Sequence, residues 1–153
     1  MALEGDLYAP EGTRFLRGSD GGARFETGGV LAGRVAFGEF VEYHAPGSHK
    51  LLLNEYEGHI IAIACCVIRP DDLFIEYRCR NAAFDGPPGI MGGGLLIEAI
   101  QPLALTQGRR AVRLDCVSDP RSLAWYASRG FEPEGPWYAD ADWGLLRPMG
   151  KRL

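Results

Sequence analysis

The sequence contains no long run of apolar residues. Its longest uninterrupted run extends over nine residues, from Ile60 to Ile68, whereas a helix that crosses a membrane needs about 20. The opening residues, MALEGDLYAPEG, show no basic start followed by an apolar segment, which is the pattern of a secretory signal. These two absences argue against a membrane-spanning helix and predict a cytoplasmic protein.

Histidine and cysteine are few, and their spacing does not suit a metal site. The chain has 153 residues, with three histidines and four cysteines. No two cysteines form a C-x-x-C pair, and no histidine stands at the spacing of a metal ligand. Buried cysteine packs as a small hydrophobic residue, so we predict core thiols in a reducing compartment and no metal. The cysteines are Cys65, Cys66, Cys79 and Cys116.

Basic residues are not in excess either. The formal net charge is −4 at pH 7, whereas proteins that bind nucleic acid usually carry a basic surface. The sequence also lacks the G-x-G-x-x-G of a dinucleotide oxidoreductase and the G-K-[ST] of a P-loop. We therefore expect neither a nucleic-acid partner nor a dinucleotide-dependent oxidoreductase.

The apolar residues that are present predict three consecutive strands after a glycine-rich start. The predicted strands are Lys50 to Tyr56, His59 to Ile68 and Leu73 to Asn81, rich in β-branched or alternating apolar residues. Short connections between them imply an antiparallel meander. Within residues 1–48, the apolar residues from Val30 to Val41 come close to helical spacing.

The second half of the chain alternates helices with strands. Asp119 followed by Pro120 is typical of a helix start, and Gly130 suits the end of that helix. Pro102 lies inside an earlier apolar helix pattern, and we expect it to kink or end that helix. The whole chain reads as one mixed α/β domain, residues 1–153. The predicted elements are a helix from Leu95, a strand from Ala111 to Val117, a helix over 120–129, and strands at Trp137–Tyr138 and Trp143–Met149.

Two segments contain the residue types of a site for an anionic cofactor. In the first, Gly86 to Gly94, glycines open a helix, where backbone N–H groups and the helix N-terminus favour a phosphate. An ordinary β-to-α turn explains the same composition. In the second, Leu114 to Phe131, a strand leads into a short capped helix that contains Tyr126. A core aromatic explains this tyrosine equally well.

Taken together, the two segments resemble the acetyl-CoA-binding half of the GCN5-related N-acetyltransferase (GNAT) family. That family has an Arg/Gln-x-x-Gly-x-Gly/Ala loop before a helix, and later a pattern like Asn-x-x-Ala-x-x-x-Tyr-x-x-x-Gly-Phe. The second pattern corresponds here to Asp119-Pro-Arg-Ser-Leu-Ala-Trp-Tyr-Ala-Ser-Arg-Gly-Phe131. In the loop, Gly92 matches the second glycine, but Pro87 stands at the Arg/Gln and Ile90 at the first glycine.

The resemblance implies a fold and a reaction. The fold is a mixed, mostly antiparallel central sheet flanked by helices, with residues 50–153 as the acyl-CoA-binding core and residues 1–49 on the acceptor side. The reaction is transfer of an acetyl group from acetyl-CoA to a primary amine of a small molecule or a protein. Dimers are common in the family, so the resemblance also implies a homodimer.

The resemblance further implies roles for individual residues. Tyr126 is the expected acid that protonates the leaving thiolate. Glu76 is our candidate for the base, acting through water, although a solvent-facing strand residue would look the same; Glu55, His59 and His49 are weaker candidates. The thioester is expected to contact the backbone at the end of the third strand of the meander. The predicted cofactor-binding residues are Ala82, Ala83, Gly89, Met91, Gly92, Gly93, Gly94, Asp119 and Ser122.

Two other functions fit the same residues. One is a toxin-like acetyltransferase that acts on aminoacyl-tRNA, which the segment from Phe37 to His44 vaguely resembles; the acidic balance argues against it. The other is a non-catalytic ligand-binding or interaction domain on a GNAT-like fold, which the irregular glycine loop would allow.

Overall fold

The computed structural model describes residues 3–4, 7–8, 13–15, 20, 23–27, 50–86 and 92–153. The helix expected between Val30 and Val41 lies outside these residues. The strands are β1 (Leu3–Glu4), β2 (Leu7–Tyr8), β3 (Thr13–Phe15), β4 (Lys50–Tyr56), β5 (His59–Ile68), β6 (Leu73–Arg80), β7 (Ala111–Val117), β8 (Glu132–Pro133), β9 (Tyr138–Asp140) and β10 (Gly144–Arg152), and the helices are α1 (Gly92–Thr106) and α2 (Pro120–Ser128).

One eight-stranded sheet organises the chain. Its strand order is β3-β4-β5-β6-β7-β10-β8, and β9 pairs with β10 at the side. The predicted meander is confirmed, since β4, β5 and β6 are antiparallel neighbours. The turn between β4 and β5 places Glu57 and Gly58 at φ values of 48° and 80°, as a tight hairpin turn requires. Among the described strands of this sheet, β6–β7 is the one parallel pair, because a helix crosses between these two strands.

α2 begins at Pro120 as predicted and ends one residue early at Ser128, whereas α1 begins at Gly92 and thus takes in three residues that were predicted as loop. Asp119 caps α2 by accepting hydrogen bonds from the N–H groups of Arg121 and Ser122. Pro102 lies inside α1, which nevertheless continues to Thr106. The helix therefore does not end at Pro102, and the alternative, a kink at this residue, stays a prediction. Pro102 and Glu98 are both exposed, so water can satisfy the Glu98 carbonyl that loses its partner.

The sheet separates two apolar clusters. Alternate residues of β5 enter opposite clusters, Ala62 and Ala64 on one face and Ile63 and Cys65 on the other. The larger cluster includes residues of α1 and α2, and we call this side the helix face. The smaller cluster has Phe25, Tyr77 and Trp143 packed against it, and we call this side the hairpin face. No helix among the described residues is long and apolar enough to span a membrane.

The prediction of core thiols is confirmed. All four cysteines are free and buried. Burial raises the pKa of the Cys65 and Cys79 thiols to about 12 and that of Cys116 to about 11. At neutral pH these groups are therefore neutral and pack as hydrophobic side chains.

Candidate active site

The parallel strands β6 and β7 separate along their length. They pair from Leu73 opposite Val112 to Ile75 opposite Leu114, and in the described chain their ladder ends there. Beyond that point a cavity of about 230 Å³ lies between the strands. Glu76, Tyr77 and Arg78 of β6 line one wall of this cavity, and residues 115–117 of β7 line the other. The fold itself thus opens a cleft in the middle of the sheet.

Glu76 is the extra residue of a β-bulge at the edge of this cleft. Cys65 of β5 pairs with Tyr77 and Cys66 pairs with Ile75, so Glu76 has no opposite residue. In a regular strand Ile75 and Tyr77 would face the same side. Here Ile75 packs on the helix face and Tyr77 on the hairpin face. The bulge therefore reverses the alternation of β6 at the residue that we predicted as the base.

The reversed alternation brings Arg78 to Tyr126. The Nε of Arg78 donates a hydrogen bond of 3.1 Å to the Tyr126 hydroxyl. The Arg78 guanidinium lies 4.1 Å from the centre of the Trp125 ring. The Tyr126 ring is buried and packs edge-on against Trp125 and Phe131. The phenol oxygen is thereby held at the cavity wall, and its own proton is left for a partner in the cavity.

A hairpin closes the opposite end of the cavity. Tyr138 of β9, Asp140 and Trp143 line this end. Asp140 fixes the turn, since its Oδ1 accepts hydrogen bonds from the N–H groups of Asp142 and Trp143 at 2.8 and 3.0 Å. The Trp143 ring lies 6.0 Å from that of Tyr77. The cavity therefore passes through the sheet, from α2 on the helix face to the β9–β10 hairpin on the other.

Tyr138 is linked to the β7 wall of the cavity. Tyr138 is 39% exposed, and its partial loss of solvent contact, followed by its interaction with Asp115, raises the pKa of the phenol to about 12. Leu114 and Cys116 pack on the helix face, so Asp115 between them faces the hairpin. Tyr138 therefore stays protonated at neutral pH.

A second arginine lies at the N-terminus of α1. A Cβ atom added to Gly94 would lie 2.7 Å from Nη2 of Arg129, so only glycine allows this approach. The Arg129 guanidinium also lies 4.2 Å from the centre of the Trp125 ring, and its buried Nε has no hydrogen-bond partner among the described residues. The guanidinium groups of Arg78 and Arg129 thus both lie against the Trp125 ring. No carboxylate forms an ion pair with either arginine in the described part of the chain.

The cavity brings together three of the predicted site residues. Tyr126, Glu76 and Ser122 all line it. Asp119 does not; its carboxylate accepts hydrogen bonds from the Ser122 hydroxyl at 2.9 Å and from backbone N–H groups. These bonds, with that of the Ser122 hydroxyl first, hold the pKa of Asp119 below its usual value. Its observed contacts are those of a helix cap.

The other predicted residues lie elsewhere. The Ala82 N–H donates to the Glu26 carbonyl at 2.8 Å, and the Ala83 N–H donates to Oδ1 of Asn81 at 3.0 Å. One of these N–H groups could bind the carbonyl oxygen of a thioester only if it gave up its present hydrogen bond. Gly92, Gly93 and Gly94 form the first turn of α1. Gly89, Met91 and His49 lie outside the described residues.

Two of the weaker base candidates, Glu55 and His59, are not among the described residues that line the cavity. Glu55 pairs with Arg14 at 3.0 Å, and the His59 ring lies 6.3 Å from that of Phe84. Arg78 and Arg129 were not predicted as site residues. No sequence motif marks them, since their positions depend on the bulge at Glu76 and on the packing of α2 against α1.

No family model matches this sequence, and no curated protein matches it. Solved structures do resemble it. One is Ard1 from Thermoplasma volcanium, with a TM-score of 0.72 and 16% identity over 92% of this chain and 96% of that one. Another is a ribosomal-protein-alanine N-acetyltransferase from Brucella melitensis, with a TM-score of 0.66 and 20% identity over 92% and 99%.

A third similar structure contains acetyl-CoA. It is a GNAT family acetyltransferase from Elizabethkingia anophelis, with a TM-score of 0.61 and 14% identity over 94% of this chain and 100% of that one. At these identities the likeness establishes the architecture, and it confirms the predicted mixed, mostly antiparallel sheet with flanking helices. The chain therefore has the fold of the GNAT family acetyltransferases.

Proposed function

We propose that this protein is an N-acetyltransferase that moves an acetyl group from acetyl-CoA to a primary amine. The observation that supports this most directly is the cavity through the splayed strands. It places Tyr126 on the helix face and Glu76 at the bulge on the walls of one space. A donor entering from α2 and an acceptor entering from the hairpin would meet between these two side chains.

The proposed reaction needs two proton transfers, and each has a candidate group. An aliphatic ammonium has a pKa near 10.4, so only about one amine in 2,500 is neutral at pH 7. Glu76 would accept a proton from the ammonium through water. The amine nitrogen then bonds to the carbonyl carbon while the carbon–sulfur bond breaks, and Tyr126 gives its proton to the departing thiolate. The ammonium loses two protons overall, of which one ends on the thiol and one in solvent.

The residues present fit the anionic part of acetyl-CoA, although the loop lacks the usual Arg or Gln. Arg129 places a guanidinium against Gly94, in the first turn of α1. A helix N-terminus carries partial positive charge, so a cation there is unfavourable unless an anion lies nearby. A phosphate would remove this repulsion by pairing with the Arg129 guanidinium, whose Nη2 faces the first turn of α1. We infer that Arg129 replaces the missing side chain of the loop.

The proposal is tested by titrating the protein with acetyl-CoA in a calorimeter, with desulfo-CoA as the matched ligand that lacks the reactive sulfur. Micromolar binding of both is expected, followed by acetylation of amines that Tyr126→Phe slows without weakening desulfo-CoA binding. Absence of binding up to millimolar concentration would refute the proposal. Binding without transfer to any amine would instead support a ligand-binding domain on this fold.

A further inference from the structure

The charged groups that line the cavity are separated by sign. Arg78 is the one cation among the described lining residues, and it lies on the helix face against Trp125 and Tyr126. The carboxylates are Glu76 at the bulge and Asp115 and Asp140 toward the hairpin. The hairpin end of the cavity is therefore acidic, while the positive charge stays with the proposed donor side.

Aromatic rings surround the acidic end. Tyr77, Tyr138 and Trp143 line it, and the Tyr77 and Trp143 rings are in contact. The face of an aromatic ring attracts a cation, most strongly where water is excluded. Carboxylates next to aromatic rings thus form a lining that favours a positively charged group and disfavours a negative one.

Asp115 and Asp140 have hydrogen-bond partners but no ion pair within the described residues, although Arg69 acts on Asp115 electrostatically from farther away. Asp115 lies beside the Tyr138 phenol, whose pKa it raises, and Asp140 accepts hydrogen bonds from the N–H groups of its own turn. Both side chains are partly withdrawn from water, so a cation beside them is less screened by solvent than it would be at an exposed carboxylate.

We propose that the acceptor is a small aliphatic amine with a second positive charge. This inference rests on the proposed acetyltransferase function. The reacting ammonium would lie at Glu76, and the second cationic group would lie between Asp115, Asp140 and the rings of Trp143 and Tyr138. A space of about 230 Å³ admits a diamine or one arm of a polyamine. A compound with a carboxylate in place of the second ammonium would be rejected by the two aspartates.

Putrescine, butylamine and γ-aminobutyrate test this inference, since they are similar in length and differ in the charge at the far end. We expect kcat/KM for putrescine to exceed that for butylamine by about tenfold or more and that γ-aminobutyrate is not acetylated. Calorimetry should show putrescine binding in the absence of acetyl-CoA. Equal use of the three amines would overturn the inference.

Isosteric variants show whether the two aspartates cause the preference. Asp115→Asn and Asp140→Asn keep an oxygen acceptor for Tyr138 and for the turn but remove the charge. Each should lower the putrescine-to-butylamine ratio about fivefold or more, while Asp142→Asn, an exposed neighbour in the same turn, should leave it unchanged. An unchanged ratio in folded Asp115→Asn and Asp140→Asn proteins would refute the inference.

The two proposals can fail separately. If acetyl-CoA binds but the amines are not distinguished, the charge-selective acceptor site is wrong and the acetyltransferase proposal stands. If acetyl-CoA does not bind but putrescine binds and γ-aminobutyrate does not, the cation site is correct and the acetyltransferase proposal is wrong.

Discussion

Arg78 donates a hydrogen bond to the hydroxyl of Tyr126, although 48 residues separate them in sequence. The bond connects α2 to the part of β6 that has separated from β7. The ring of Trp125, the residue before Tyr126, lies against the same guanidinium. This bond fixes the position of the phenol oxygen at the cavity wall. Arg78 is thus a positioning residue for the proposed acid.

This contact predicts that Arg78 and Tyr126 act as one unit. We expect Tyr126→Phe to lower kcat about 100-fold, within the usual range for loss of a general acid, and Arg78→Met to lower it about tenfold by freeing the phenol. The double variant should be little slower than Tyr126→Phe alone, because coupled residues are not additive. Single-turnover rates of the four proteins measure this coupling. Independent, multiplicative effects would contradict the positioning role of Arg78.

Glu76→Gln tests the proposed base without changing the size of the side chain. The bulge and the backbone pairing do not require a charge, so we expect the variant to fold normally. Its kcat should fall about 100-fold at pH 7 and should recover at high pH, where more of the amine is neutral. Glu57→Gln, in the turn between β4 and β5, is the matched control. A pH–rate profile that keeps the shape of the parent protein's would contradict the assignment.

Arg129 and Gly94 should act together on cofactor affinity. Arg129→Ala should weaken desulfo-CoA binding about tenfold or more, since a hydrogen bond to a charged group is worth about 1.5–3 kcal/mol. Gly94→Ala should weaken it too, because the new methyl group would lie 2.7 Å from Nη2 of Arg129. Arg152→Ala, an exposed arginine at the end of β10, provides the control. Calorimetry at two salt concentrations would detect the lost charge. Unchanged affinity in Arg129→Ala would show that Arg129 does not take the place of the missing Arg or Gln of the loop.

Asp72 should make the stability of the protein depend on pH below its unfolded-state pKa. It is 4% exposed and bonds to Arg69 at 2.6 Å and to Arg113 at 3.0 Å, and these bonds, Arg69 first, lower the pKa of Asp72 in the folded protein. Its stabilising effect is therefore complete above the unfolded-state value of about 3.9 and is lost as the pH falls toward the lower folded value.

Urea unfolding of Asp72→Asn measures this effect. We expect the variant to be about 1 kcal/mol less stable at pH 7, a modest value because both arginines are partly in water. The difference from the parent protein should shrink below pH 4 or so, because the parent carboxyl then becomes protonated. Asp142→Asn serves as the exposed control. A difference that stays constant from pH 7 to pH 3 would exclude the proposed linkage.

Sequence reasoning predicted the elements better than the site. Local signals determine the strands of the meander and the cap of α2, so those predictions were confirmed. The continuation of α1 past Pro102 depends on its exposed position, which becomes known only from packing. The bulge at Glu76 depends on pairing with β5, and the positions of Arg78 and Arg129 depend in turn on the bulge and on helix packing. The cofactor-binding roles of Asp119, Ala82 and Ala83 remain predictions.

The sheet consists of two antiparallel halves that share one short seam. Three residue pairs join them, and Leu73, Ile75, Val112 and Leu114 in this seam are buried. The width of the cleft is therefore set by apolar packing at its base rather than by the polar groups on its walls. Side chains such as Asp115, Asp140 and Trp143 lie outside the seam, so they can be exchanged while the two halves of the sheet stay the same distance apart.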